Sequence, residues 1–145
     1  MTAAEPRTLL AFDFGLKRIG GAVGQTQSRS ASPLETLAVK REHPDWRAIA
    51  RLIETWTPDA LVVGLPLNMD GTQQEMTHRA RRFGRQLEGR FDLPVHLVDE
   101  RLTTREAKSR LHLEGRASAG ADPVAAQIIL EGWLSEQSAP GGEAL

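Results

Sequence analysis

The chain has no cysteine among its 145 residues. That excludes disulfides, thiolate-bound zinc and iron–sulfur clusters, and it fits a reducing compartment. No apolar run approaches the roughly 20 residues that a membrane helix needs. The first residues carry no apolar stretch of the kind a secretory leader has. These absences lead us to expect a cytoplasmic protein with no membrane partner. Aromatic residues make up only 5% of the chain, and most fall on positions that read as core, so exposed rings for base stacking are not a strong feature.

Basic residues are missing from the last fifth of the sequence. The formal net charge is −1, which taken whole argues against a nucleic-acid partner. Residues 1–116, however, hold eighteen bases against fifteen acids, and residues 117–145 hold four acids and no base. Fifteen of the bases are arginine, whose planar fork of donors suits phosphate and carboxylate. With 40% hydrophobic and 26% charged residues, the chain reads as one globular domain over 1–145. Residues 1–7 and 136–145 read as flexible tails.

Hydrophobic patterning predicts the elements. Residues 8–14 (TLLAFDF) form a short apolar run with one charge, a buried strand. A Gly15-Leu16-Lys17 turn leads into a Gly-rich strand over 18–26, so the two make a hairpin. A third strand follows Pro33 over 34–39. Trp46, Ile49, Ala50, Ile53 and Trp56 repeat in steps of three and four, giving an amphipathic helix that ends before Pro58. A buried strand over 60–64 leads to a loop and then to Thr72 and Glu75, whose spacing predicts a capping box. Met76, Ala80, Phe83 and Leu87 line the apolar side of the next helix. A strand over 94–98 precedes a second Thr-x-x-Glu spacing at Thr103, opening a helix to about 113. Asp122-Pro123 reads as a helix start before an apolar helix. The order predicts an α/β fold, a mixed five-stranded sheet flanked by helices. Its first three strands form an antiparallel meander and its later ones lie parallel.

Three acidic positions stand out. Asp13 lies late in an apolar strand, where an unpaired carboxylate costs several kcal/mol. A salt bridge or turn cap would explain it, and so would a metal ligand or general base. Asp99-Glu100 ends another strand. The two side chains must point to opposite faces, and periodicity does not say which could join Asp13. Asp122 reads as an N-cap and has a second oxygen to offer. Three carboxylates at two strand ends and a helix start would suit an oxygen-donor site for Mg²⁺ or Mn²⁺, while strand-end solvation at Asp99-Glu100 and helix capping at Asp122 would account for them one by one. His78 and His96 read as surface or structural residues. Residues 76–87 contain no acid, so the arginine face of that helix (Arg79, Arg81, Arg82, Arg85 and, further along, Arg90) points to phosphate contact.

AFDFGLKRIG, VVGLPLNMDGT, DERLTT and the DPVAAQIIL helix occur in this order and at suitable spacing. Together they resemble the RuvX/YqgF family of Holliday junction resolvases, a family also implicated in trimming the small-subunit ribosomal RNA precursor. The resemblance spans residues 8–134. It implies an RNase H-like fold and a divalent-metal-dependent endonuclease. It maps the active acids onto Asp13, Glu100 and Asp122. It implies nucleic-acid contacts at Lys17 and Arg18 of the KRIG element, at Asn68 and Gly71 of the NMDG loop, and at Arg101 of the DER motif, beside Arg81, Arg82 and Arg85. The chain departs from the family where Gly20-Gly21-Ala22-Val23-Gly24-Gln25 lacks the usual Ser-Asp ending. The loop before Asp122 is also poor in Lys. A four-way DNA junction as substrate requires paired cuts and hence a homodimer, whereas precursor rRNA does not. The competing reading is a non-catalytic nucleic-acid-binding or ribosome-maturation scaffold.

Overall fold

A computed structural model describes residues 7–100 and 123–137. β1 (Thr8–Phe14) and β2 (Arg18–Gln25) pair antiparallel, from Thr8 opposite Gln25 to Phe14 opposite Ile19. This is the hairpin that the apolar runs and the three-residue turn predict. β3 (Ser30–Lys40) adds antiparallel to β2, and the two-residue β4 (His43–Pro44) pairs with its far end. α1 (Trp46–Trp56) follows, then β5 (Ala60–Leu65), parallel to β1. α2 (Glu75–Phe91) crosses to β6 (Val95–Asp99), parallel to β5, and α3 (Pro123–Gln137) closes the described chain. The spatial order is β4-β3-β2-β1-β5-β6. The expected five strands are therefore joined by a sixth, the short β4. The expected helix opening at Thr103 lies outside the described residues.

β3 begins earlier than expected, and Pro33 lies inside it. Pro33 sits opposite Ala22, where the β2–β3 register shifts between Gly20 and Ala22. A bulge is the place where a strand tolerates a residue that cannot donate to the ladder. α1 starts after Asp45, whose Oδ1 accepts the Ala48 N–H at 3.1 Å. It stops at Thr57, whose φ of 41° breaks the helix ahead of Pro58.

The sheet separates two cores. On one face Leu10, Phe12, Leu61 and Val63 pack with Ile49 and Leu52 of α1 and with Ala80, Phe83 and Leu87 of α2. On the other, Leu9, Ala11, Ala60, Val62 and Val98 pack with Ala126, Ile129, Leu130 and Trp133 of α3. Full burial of such a side chain stabilises the fold by about 1.5–3 kcal/mol. Because α1 and α2 take one face and α3 the other, strand parity decides which helix each strand residue meets. Among the described residues, no helix is long and apolar enough to cross a membrane.

Candidate functional site

Asp13 is the next-to-last residue of β1 and only 7% exposed. It shares parity with Leu9 and Ala11, so its side chain lies on the α3 face. β1 pairs with β5 as far as Phe12 opposite Val63, so Asp13 and Gly64 are the next positions along. Glu100 prolongs β6, its N–H donating to the Leu65 carbonyl at 3.0 Å. The Glu100 side chain lies across Gly64. A Cβ built at Gly64 would stand 2.8 Å from Glu100 Oε2, 2.9 Å from its Cγ and 2.7 Å from Ile129 Cδ1 of α3. Glu100 is therefore on the same face as Asp13, over the strand that separates β6 from β1. Asp99 has the parity of Val95, which packs on the opposite core, and so points away. Parity with respect to α3 answers what periodicity alone left open.

Burial, and then the charge of adjacent Asp99, push the Glu100 carboxyl up to about 7. A hard cation would offset the cost of ionising it. A buried carboxylate in β1 and a carboxyl above Gly64 whose ionisation burial opposes thus fit such an ion in donor chemistry. Asp122 and Arg101 lie outside the described residues. Asp122 directly precedes Pro123, the first residue of α3, and α3 packs on this same face. Among the described residues no three acidic or imidazole groups gather as a metal site.

Lys17 and Arg18 leave the end of β1 into β2, both exposed. Arg18 alternates with Ile19, which faces α1 and α2, so Arg18 is on the Asp13 face, two residues from Asp13's pairing partner Gly20. The loop between β5 and α2 is tied internally. Asn68 N–H donates to the Thr72 carbonyl (2.9 Å), and Asn68 Nδ2 donates to Thr72 Oγ1 (2.9 Å). Thr72 N–H and Oγ1–H both donate to Asp70 Oδ1, at 2.9 and 2.6 Å. Gly71 has φ of 90°, which explains glycine there. Its N–H donates to the Asn68 carbonyl at 2.8 Å, which holds the turn closed.

The capping expectation at Thr72 is corrected by the same bonds. The N-cap of α2 is Gln74, whose backbone N–H donates to Thr77 Oγ1 at 3.1 Å, and the buried Thr77 hydroxyl donates to the Pro66 carbonyl. Thr72 belongs to an Asp70-centred turn instead.

The arginine face is not brought to the carboxylates, because α2 covers the other side of the sheet. It is also not uniform. Arg79 is paired with Glu42 (2.8 Å) and Glu75 (3.3 Å). Arg90 lies 4.1 Å over the Trp46 ring. Arg82 lies on the flank toward Glu42, lowering that carboxyl after the larger effect of Arg79. Arg81 and Arg85 line a hollow against Val95 and Leu97 of β6. His96 stacks on Trp133 at 5.0 Å, and burial, then Arg7, hold its pKa below the ordinary value. Its place in the α3 core agrees with a structural histidine, and His78 is exposed.

A family model described as RuvX: Holliday junction resolvase matches residues 7–136. A Nitrosococcus oceani protein, whose name reads "Putative pre-16S rRNA nuclease", is 53% identical and covers 92% of this chain and 90% of its own. An Azotobacter vinelandii protein of the same name is 51% identical over 92% of this chain and 97% of its own. Among solved structures, Thermus thermophilus RuvC in complex with a Holliday junction superposes with a TM-score of 0.55 at 14% identity, over 90% of this chain and 95% of that one. Fowlpox virus resolvase with Holliday junction DNA gives 0.56 at 10% identity, over 91% and 99%. At such low identity these two establish the fold, which is RNase H-like.

Proposed function

Because the chain belongs to the RuvX family, we propose that it is a divalent-metal-dependent endonuclease of structured nucleic acid. We read it as one nuclease domain, acting in the cytoplasm on the precursor of 16S rRNA, the substrate in its relatives' names. The observation that carries the catalytic reading is Glu100 lying across Gly64 on the face of Asp13. Asp13, Glu100 and Asp122 would hold Mg²⁺ or Mn²⁺. When bound, the ion supplies Lewis-acid polarisation of the phosphodiester and a lowered pKa for water.

The chain's own groups do the rest. Asp13 offers a fixed, buried carboxylate at the end of a rigid strand. Glu100, whose ionisation burial opposes in the free protein, would give up its proton on binding the ion and add a second carboxylate. Arg18, exposed on the same face, orients a phosphate by charge-assisted hydrogen bonds, with Lys17 beside it and Arg101 next in sequence to Glu100. Asn68 and the backbone around Gly71 form a rigid rim at the loop after β5. Arg82 adds positive charge on the far flank. The net reaction adds water across a P–O3′ bond and leaves 5′-phosphate and 3′-hydroxyl ends.

The family model's description favours a second substrate, the four-way DNA junction, which would need a homodimer. Purified protein is tested on precursor rRNA and on a synthetic junction in one buffer with one metal, with its mass in solution measured alongside. Faster cutting of the rRNA by a monomer supports the first substrate, and paired cuts by a dimer support the second. Asp13→Asn is expected to abolish cleavage and keep binding. Wild-type cleavage by that variant would overturn the site, and binding without any metal-dependent cleavage by the wild type would favour a scaffold.

A further inference from the structure

Of the five arginines of α2, Arg79 and Arg90 are held by Glu42, Glu75 and Trp46, Arg82 lies on the Glu42 flank, and Arg81 and Arg85 face β6. Arg81 and Arg85 stand one helical turn apart, about 6 Å along the axis. Neither makes an ion pair among the described residues. With Gly84 and Glu88 of α2 and Val95 and Leu97 of β6 they enclose a hollow of about 210 Å³. β6 is the last strand at this side of the sheet, and Leu97, 41% exposed, gives the hollow an apolar wall beside the two arginines. The chemistry is mixed. Two cationic forks suit phosphate oxygens, an apolar wall suits the flat face of a base or a sugar, and the Glu88 carboxylate accepts from a hydroxyl or an exocyclic amine. A free anion would use only the first of these. A nucleotide in a strand would use all three.

We propose that this hollow is a second nucleic-acid site that takes an unpaired nucleotide flanking the cleaved region, on the sheet face opposite Asp13 and Glu100. The assignment rests on the nuclease reading above and narrows its substrate class to a folded body with a single-stranded flank. β6 links the two sites. Leu97 faces the hollow, and Glu100, three residues and about 10 Å further along the strand direction, faces the carboxylate side. A flank leaving the cut at the carboxylate end passes round the outer edge of β6 to reach the arginines. A blunt substrate cannot occupy both faces.

The test compares a hairpin body with the same body carrying a single-stranded tail of about ten nucleotides, bound to full-length Asp13→Asn protein and followed by fluorescence anisotropy. The expected result is at least tenfold tighter binding of the tailed form. Arg81→Ala/Arg85→Ala removes that gain and makes the salt dependence of tailed binding shallower by about two charges. Leu97→Ser, an exposed change, removes part of it, and an abasic tail loses a similar part with the parent protein. Equal binding of tailed and blunt forms, or a tail gain that survives in the double variant, overturns the second site and leaves the nuclease reading intact. Failure to bind either form overturns both. Displacement of the tail by polyglutamate at equal charge concentration also overturns the proposal, in favour of an acidic protein partner.

Discussion

Glu100 Oε2 occupies the space where a side chain on Gly64 would begin, 2.8 Å from the position of that absent Cβ. Ile129 Cδ1 presses on the same point from α3 at 2.7 Å. Gly64→Ala must therefore displace a carboxylate, a helix or both. Overpacking of this kind costs about 1–3 kcal/mol. Cleavage should fall at least a hundredfold, beyond what lost stability explains. Adding Ile129→Val should restore much of the melting temperature and little of the cleavage. Recovery of both together would mean that Gly64 serves packing alone.

The Glu100 carboxyl gives stability a sign with pH. Its folded value, about 7, exceeds the ordinary 4.5. Below pH 4.5 it is protonated in both states and has no effect. Between 4.5 and 7 the unfolded chain loses its proton first, so the folded state loses relative stability as pH rises. The loss is complete above 7 and amounts to about 1–3 kcal/mol for a group that keeps some solvent contact. In metal-free buffer, Glu100→Gln should be more stable than wild type at pH 8 and equal to it at pH 4. Urea titrations at the two pH values would measure this, and equal differences at both would refute it.

His96 has the opposite sign. Burial lowers its pKa below 6.5, and its buried Nε2 has no hydrogen-bond partner among the described residues. As pH falls through 6.5 the unfolded chain takes up a proton that the folded chain resists, so this contribution is lost on acidification. His96→Phe keeps the ring against Trp133 and removes the unsatisfied nitrogen. It should raise stability at pH 7 by about 1 kcal/mol and by more at pH 5.5. A destabilised variant at both values would show that Nε2 has a partner in solution.

The first hairpin, α1 and the apolar α3 were legible because each depends on local signals: an apolar run with a turn, a 3.6-residue repeat, a cap and a proline. What could not be read depended on partners far away in sequence. Pro33 looked like a strand boundary because the bulge against Gly20 and Ala22 that accommodates it belongs to another strand. Thr72 and Glu75 had capping-box spacing, but Asp70, two residues before Thr72, competes for the hydroxyl and wins at 2.6 Å. The arginines of α2 formed one face on a helical wheel, yet Glu42 and Trp46 claim two of them. Gly64 carried one readable hint, a glycine late in the otherwise apolar strand Ala60–Leu65, where close approach of another group is a common cause.

Metal binding offers the most direct check on the carboxylate pair. An ion that binds only the folded state stabilises it by about 2.7 kcal/mol at a hundred times its Kd. Ligation requires ionised carboxylates, so affinity grows as Glu100 loses its proton near pH 7. Mg²⁺ or Mn²⁺ should therefore raise the melting temperature clearly at pH 8 and far less at pH 5.5, and Asp13→Asn should abolish the shift at both. The Glu100→Gln variant, already stabilised at pH 8 without metal, should gain little from it. Ca²⁺ should stabilise the wild type without supporting cleavage if oxygen ligation alone drives the shift. A thermal shift that is independent of pH and survives Asp13→Asn would place the ion elsewhere, on surface carboxylates such as Glu42 and Glu75, and would remove the metal from the proposed site.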